Sequence, residues 1–172
     1  MARYRLILEY DGRGYCGWQH QSGDRLTVQS DLEQALKCLC GHEIRVHGAG
    51  RTDSGVHALA QVAHFDTHRE IPIAIYMRSL NALTSQALSV RQVELVADDF
   101  HARFDATYRE YMYRLLNRPG PTALDRFRVW HIFHPLDRPA MGEALSILVG
   151  KHDFSSFRAS TCQANSPSYG LF

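Results

Sequence analysis

The stretch Gly48-Ala49-Gly50-Arg51-Thr52-Asp53-Ser54-Gly55-Val56-His57-Ala58 sets one carboxylate among glycines, with an arginine two residues before it and a histidine four after. Glycine tolerates positive φ and carries no side chain, so such a stretch turns tightly and lets a ligand come close to the backbone. A strand-like run, Ala60-Gln61-Val62-Ala63-His64-Phe65, follows almost at once. An acid displayed on a tight loop beside a strand is where a nucleophile or a general base is placed. Asp53 is therefore the candidate reacting group. Taken alone, an aspartate in a glycine turn more often serves local hydrogen bonds.

The elements that must position this loop read in order along the chain. Tyr4 to Tyr10 alternates as a strand and stops at the turn signal Asp11-Gly12. A glycine-rich loop runs from Arg13 to Arg25. Thr27 then caps a helix whose apolar face uses Val28, Leu32, Ala35, Leu36 and Leu39 and which Gly41 ends. Ile44 to His47 is a short strand entering the Asp53 loop, and Leu59 to Phe65 is the strand leaving it. After Pro72 a helix turns Ile75, Leu80 and Leu83 inward, with Asn81 free for a polar contact; Leu88 to Val96 alternates as a strand. Strand, helix, strand, loop, strand, helix, strand is the ferredoxin-like split βαβ order, an antiparallel sheet with two helices on one face.

Residues 1–105 form this α+β lobe, closed by the connector Asp98 to Asp105; residues 106–172 form a second, incomplete α+β lobe. In it, Tyr108 to Leu116 reads as a long strand, with Tyr111, Tyr113 and Leu115 on one face. Such aromatics most often face a core. Arg138 to Val149 reads as a helix through Met141, Leu145 and Leu148, capped by Gly150. One strand and one helix are too little for a sheet of ordinary size.

Composition narrows the classes. At 172 residues, 45% hydrophobic and 22% charged, the chain reads as globular rather than disordered. No apolar run approaches a membrane-spanning length, and Met1-Ala2-Arg3-Tyr4-Arg5 lacks the apolar core of a signal peptide. Both point to the cytoplasm. Cys16, Cys38, Cys40 and Cys162 show no disulfide framework. Ten histidines invite a metal site, but His131 and His134 stand among apolar neighbours with no third ligand close by in sequence, and no metal is expected. Net charge is only +1, so no global field draws nucleic acid. The 17 arginines against 2 lysines suit phosphate and base recognition, as well as a GC-rich genome.

The blocks Tyr10-Asp11-Gly12, Gly17-Trp18-Gln19, Thr27-Val28-Gln29, Gly50 to Ala58, Gln61-Val62 through Phe65, Phe100 to Phe104, Arg109-Glu110-Tyr111-Met112-Tyr113 and His152 to Phe157 occur in the order seen in one family. In them the chain resembles tRNA pseudouridine synthase A, which isomerises uridines of the anticodon stem-loop. The resemblance implies the pseudouridine synthase fold, a tRNA substrate, a homodimer and no cofactor. It places the catalytic aspartate on Asp53, the tyrosine that stacks on the flipped base on Tyr111, and a residue holding or extruding the target nucleotide on Arg51. Trp18 reads as a packing anchor, His57 as a residue orienting the loop, and His101 as a contact to tRNA backbone.

The implied reaction breaks the N1–C1′ bond, turns the uracil and joins C5 to C1′. It needs a carboxylate either as nucleophile or as the base that takes a sugar proton, and a guanidinium nearby favours the ionised acid. The resemblance weakens after Ser166-Pro167. There the family implies further strands, a helix and a Val-Arg pair whose arginine meets the aspartate, whereas Ser168-Tyr169-Gly170-Leu171-Phe172 does not match. The alternative expectation is accordingly a truncated, non-catalytic RNA-binding or self-associating remnant.

Overall fold

The computed structural model describes residues 1–21, 23, 25–157 and 168–171. It divides into two compact units, Met1–Arg109 and Glu110–Phe172.

The first unit is built on strand β1 (Ala2–Tyr10), whose buried side alternates through Tyr4, Leu6, Leu8 and Tyr10. Helix α1 (Val28–Cys40) begins at a reciprocal cap. The Thr27 hydroxyl accepts from the Ser30 N–H, and the Ser30 hydroxyl accepts from the Thr27 N–H. It ends at Gly41, whose φ of 81° is left-handed and open to glycine at little strain. Strands β2 (Val46–Gly48) and β3 (Ala58–Thr67) flank the Asp53 loop, and helix α2 (Ile73–Leu83) leads to strand β4 (Leu88–Val96). The sheet order is β2-β3-β1-β4 with every pair antiparallel, so one strand splits each strand-helix-strand crossover. The α+β architecture and antiparallel sheet are those expected. A core of Leu6, Leu8, Leu32, Leu36, Phe65 and Tyr76 fills the space between sheet and helices.

Helix α2 departs from the expected face. Tyr76 and Leu80 are buried, while Ile75 and Leu83 are exposed. Adjacent helix positions lie 100° apart, so the spacing alone leaves the choice between Ile75 and Tyr76 to the partner surface. Tyr76 wins because its ring meets Tyr4 and Phe65 and its hydroxyl donates to the Arg69 carbonyl at 2.9 Å. Asn81 makes the polar contact left open for it: its amide receives the Val90 N–H and donates to the Val90 carbonyl, each at 2.9 Å, so it stands in for a neighbouring strand at the sheet edge.

The other sheet face is covered by the connector. Ala102 is buried there and its N–H donates to Nδ1 of His64 at 3.2 Å. His64 is 2% exposed, stacks on His47 at 5.0 Å and meets the His101 ring at 4.7 Å. Arg3 joins Asp66 through two hydrogen bonds of 2.7 and 2.8 Å and donates to the Phe100 carbonyl at 2.8 Å.

In the second unit, strand β5 (Leu115–Asn117) pairs in parallel with β6 (Trp130–Ile132). Helix α3 (Arg138–Ile147) follows, capped by the Asp137 carboxylate, and β7 (Gly150–Asp153) pairs antiparallel with β8 (Ser168–Leu171). The strand expected over Tyr108 to Leu116 is reduced to β5. Residues 108–114 alternate suitably but have no ladder partner among the described residues, and a strand exists only by pairing. Tyr111 and Tyr113 are exposed instead of facing a core. Cys162 and Ser166-Pro167 lie outside the described residues.

Burial holds the His64 imidazolium down at about pKa 4 against an ordinary 6.5; His47, His101 and Arg3 add to the effect and Asp66 opposes it. The unfolded chain therefore binds the extra proton between pH 6.5 and 4. Stability conferred by neutral His64 is full above 6.5, falls with pH and is gone below about 4, a loss of roughly 3 kcal/mol. Urea denaturation at pH 7 and pH 4.5 should show most of this loss in the parent and much less in His64→Gln, whose amide oxygen still accepts from Ala102. An equal loss in both proteins would assign the acid sensitivity elsewhere.

Candidate active site

The loop between β2 and β3 is tied down residue by residue. Ala49 is buried; its N–H donates to the Val62 carbonyl at 2.8 Å and its own carbonyl accepts from the Arg109 guanidinium at 2.8 and 3.2 Å. The Gly50 carbonyl accepts from the Gln61 side-chain amide at 2.7 Å. Thr52 is held twice: its carbonyl accepts from the Trp18 N–H at 2.9 Å, and its hydroxyl is hydrogen-bonded to that of Tyr10 at 2.8 Å. Ser54 donates to the Tyr15 carbonyl at 3.3 Å. The Val56 N–H closes a turn onto the Asp53 carbonyl at 3.2 Å, with Gly55 at φ 81°, the third position of a turn that favours glycine.

Its neighbours are fitted to it as closely. Gly17 has φ 87°, and a Cβ there would stand 2.7 Å from the Thr52 carbonyl oxygen. A Cβ on Gly12 would fall 2.1 Å from the Val56 carbonyl oxygen, a distance no side chain survives without backbone movement. Trp18 is 3% exposed with its indole packed over Gly48, so it is the packing anchor expected. The far end of the loop is held by His57, whose Nδ1 lies 3.3 Å from both the Gly12 N–H and an Asp11 oxygen. Hydrogen bonds from Arg13 hold the Asp11 carboxyl down at about pKa 2, and His57 contributes in the same direction. The position of His57 agrees with its expected part in orienting the loop.

Against this fixed backbone, Arg51 and Asp53 are exposed, and among the described residues no hydrogen bond or ion pair engages either side chain. The guanidinium two residues away is thus not paired with the carboxylate. The loop presents two opposite charges on one short segment, both open to a ligand. Tyr111 belongs to the second unit, where the residue is 70% exposed. His101 lies against His64 and Phe104 rather than standing free.

Sequence reasoning did not single out Tyr10, Gln61 or Arg109 as the residues that brace the loop. Tyr10 and Arg109 belong to blocks noted above, but which carbonyl or hydroxyl each would meet has no local signature. No three metal-binding side chains converge among the described residues, and no helix there is long and apolar enough to cross a membrane. A concavity of about 510 Å³ in the second unit, lined by Pro121, Thr122, Arg126, Phe127, Val129 and His131, contains none of the candidate residues.

Residues 6–105 match the family model described as tRNA pseudouridine synthase. The chain is 56% identical over 168 residues to a tRNA pseudouridine synthase A of Rhodospirillum rubrum, covering 97% of this chain and 60% of the relative. A protein of the same name from Caulobacter sp. strain K31 is 51% identical, with 97% and 67% covered. One from Nitrosomonas europaea is 50% identical over 159 residues, with 92% and 58% covered. The chain spans about three fifths to two thirds of the length of these curated relatives. On a matched model over more than half its length, and on relatives of this identity, the chain belongs to the tRNA pseudouridine synthase family.

Proposed function

We propose that this chain carries the reacting loop of a tRNA pseudouridine synthase, an isomerase that converts uridine to pseudouridine in the anticodon stem-loop. The observation that carries the reading is the Asp53 loop itself: a loop pinned at Ala49, Gly50, Thr52, Ser54 and His57 that leaves the charged Arg51 and Asp53 side chains unengaged among the described residues. A rigid frame around a free carboxylate is what chemistry at a sugar carbon requires, because misplacement of about 1 Å costs on the order of a hundredfold in rate.

Asp53 is the reacting carboxylate. As a nucleophile its oxygen bonds to the sugar or the base while the N1–C1′ bond breaks, and that oxygen–carbon bond breaks again as C5 joins C1′; as a base it takes a sugar proton and returns it when C5 joins C1′. Either way the freed uracil turns, C5 bonds to C1′, the C5 hydrogen leaves as a proton and N1 takes one up. The products have the same composition as the substrate, so no oxidant, reductant or second substrate is needed. Arg51 holds the phosphate or the extruded nucleotide through its guanidinium, which binds phosphate in bidentate fashion. Tyr111 supplies the stacking surface for the flipped base, which offsets the few kcal/mol lost on unstacking by about 1–3 kcal/mol. The reading includes a homodimer acting in the cytoplasm.

Two measurements test this. Tritium release from tRNA labelled at uracil C5 is expected from the parent and is expected to fall by more than roughly a thousandfold in Asp53→Asn, the scale of losing a reacting side chain. Equal release from both would remove Asp53 from the chemistry. No release from a folded parent that still binds tRNA would favour the non-catalytic remnant. In an active parent, Tyr111→Ala should lower kcat/KM by about 5- to 150-fold, the equivalent of one stacked base, while Tyr111→Phe keeps most of the rate. A Phe variant as impaired as the Ala variant would assign the hydroxyl, not the ring.

A further inference from the structure

Among the described residues, Arg109 ties the Asp53 loop to the connector by hydrogen bonds. Its Nη2 donates to the Ala49 carbonyl at 2.8 Å and to the Arg103 carbonyl at 3.0 Å, while Nε makes a second bond to Ala49 at 3.2 Å. Ala49 comes four residues before Asp53; Arg103 sits in the turn that lies over His64 through Ala102. Two carbonyls 54 residues apart in sequence thus share one guanidinium. The next residue fits the same side chain: a Cβ on Gly50 would stand 3.4 Å from Nε and 3.6 Å from the adjoining carbon of Arg109, so the backbone runs flush against it. From β3 the Gln61 amide holds the Gly50 carbonyl. The loop entry is thus held at two successive carbonyls, that of Ala49 by Arg109 and that of Gly50 by Gln61.

We infer that Arg109 is a positioning residue, whose planar fork bridges the Ala49 and Arg103 carbonyls and thereby sets where the loop delivers Asp53. The inference rests on the reading of Asp53 as the reacting carboxylate. Arg109 touches no reacting atom; it acts through the backbone between Ala49 and Asp53. Its geometry needs the fork rather than the charge, since the donors serving both carbonyls are held in one plane, which a lysine ammonium does not reproduce. The bonds lie near the surface, so their removal should loosen the loop without unfolding the sheet.

The test compares the parent with Arg109→Met, which keeps an unbranched apolar stem, and Arg109→Lys, which keeps the charge. Hydrogen exchange is followed by mass spectrometry in peptides spanning 49–57 and, as an internal reference, in those of α1. Exchange of the loop peptides should rise at least tenfold in both variants while α1 is unchanged. An unchanged loop, a uniform rise across the protein, or a lysine variant indistinguishable from the parent would each overturn the bridge. Tritium release supplies the second arm: kcat should fall at least tenfold, with KM and tRNA affinity within threefold of the parent. A loosened loop with unchanged kcat would overturn the positioning role. A parent that releases no tritium would overturn the functional reading and the catalytic part of this inference with it, while the exchange data still decide the clamp.

Discussion

Strand β1 is hydrogen-bonded along both edges, to β3 from Ala2↔Thr67 to Tyr10↔Ala58 and to β4 from Arg3↔Val96 to Tyr10↔Leu88. Its two faces do different work. Tyr4, Leu6, Leu8 and Tyr10 enter the core under the helices, while Arg3 and Arg5 face the connector, where Arg3 grips Asp66 and Phe100 and Arg5 pairs with Glu94. A one-residue slip would exchange these sets, burying arginines and exposing leucines, so the register is strongly specified. The last residue of the strand carries that register to the loop. Tyr10 is 3% exposed, and its hydroxyl holds Thr52, the neighbour of Asp53. The site is placed by the same strand that organises the core.

The loop owes its shape to bonds on its backbone and on Thr52, Ser54 and His57, rather than to the Arg51 and Asp53 side chains. That division has a chemical logic. A buried carbonyl or N–H must be satisfied; here the Gln61 and Arg109 side chains and the Trp18 N–H satisfy loop carbonyls, while the Tyr10 hydroxyl holds that of Thr52. The loop's charged side chains are thereby spared structural duty. Had Arg51 and Asp53 paired with one another, each ligand contact would first have had to break that pair.

Much of the first unit was legible because its cues are local. Thr27 and Gly41 mark the ends of α1 by capping chemistry, and the alternation of Leu88 to Val96 coincides with β4 as observed. The glycines around Asp53 announce a turn for the steric reasons seen at Gly55. What escaped depends on partners distant in sequence. The inward face of α2 was decided by Tyr4 and Phe65, and the burial of His64 by a connector some 38 residues later. Residues 108–114 have the alternation of a strand, but alternation describes two faces and says nothing of whether a neighbour exists to pair with. The candidate site divides in the same way: Asp53 and Arg51 stand out by motif, whereas the grip of Arg109 on Ala49 spans 60 residues and leaves no pattern.

The central place of the first strand bears on how the chain is made. β1 emerges from the ribosome before either of its partners, β3, which ends at Thr67, and β4, which ends at Val96. At roughly 5–20 residues per second, the strand that will become the middle of the sheet waits on the order of 5–20 s before both edges are paired. Its core face is apolar and aromatic throughout that interval. The alternating arginines at positions 3 and 5 then act as gatekeepers, because charges interleaved with an apolar strand oppose pairing with other nascent chains.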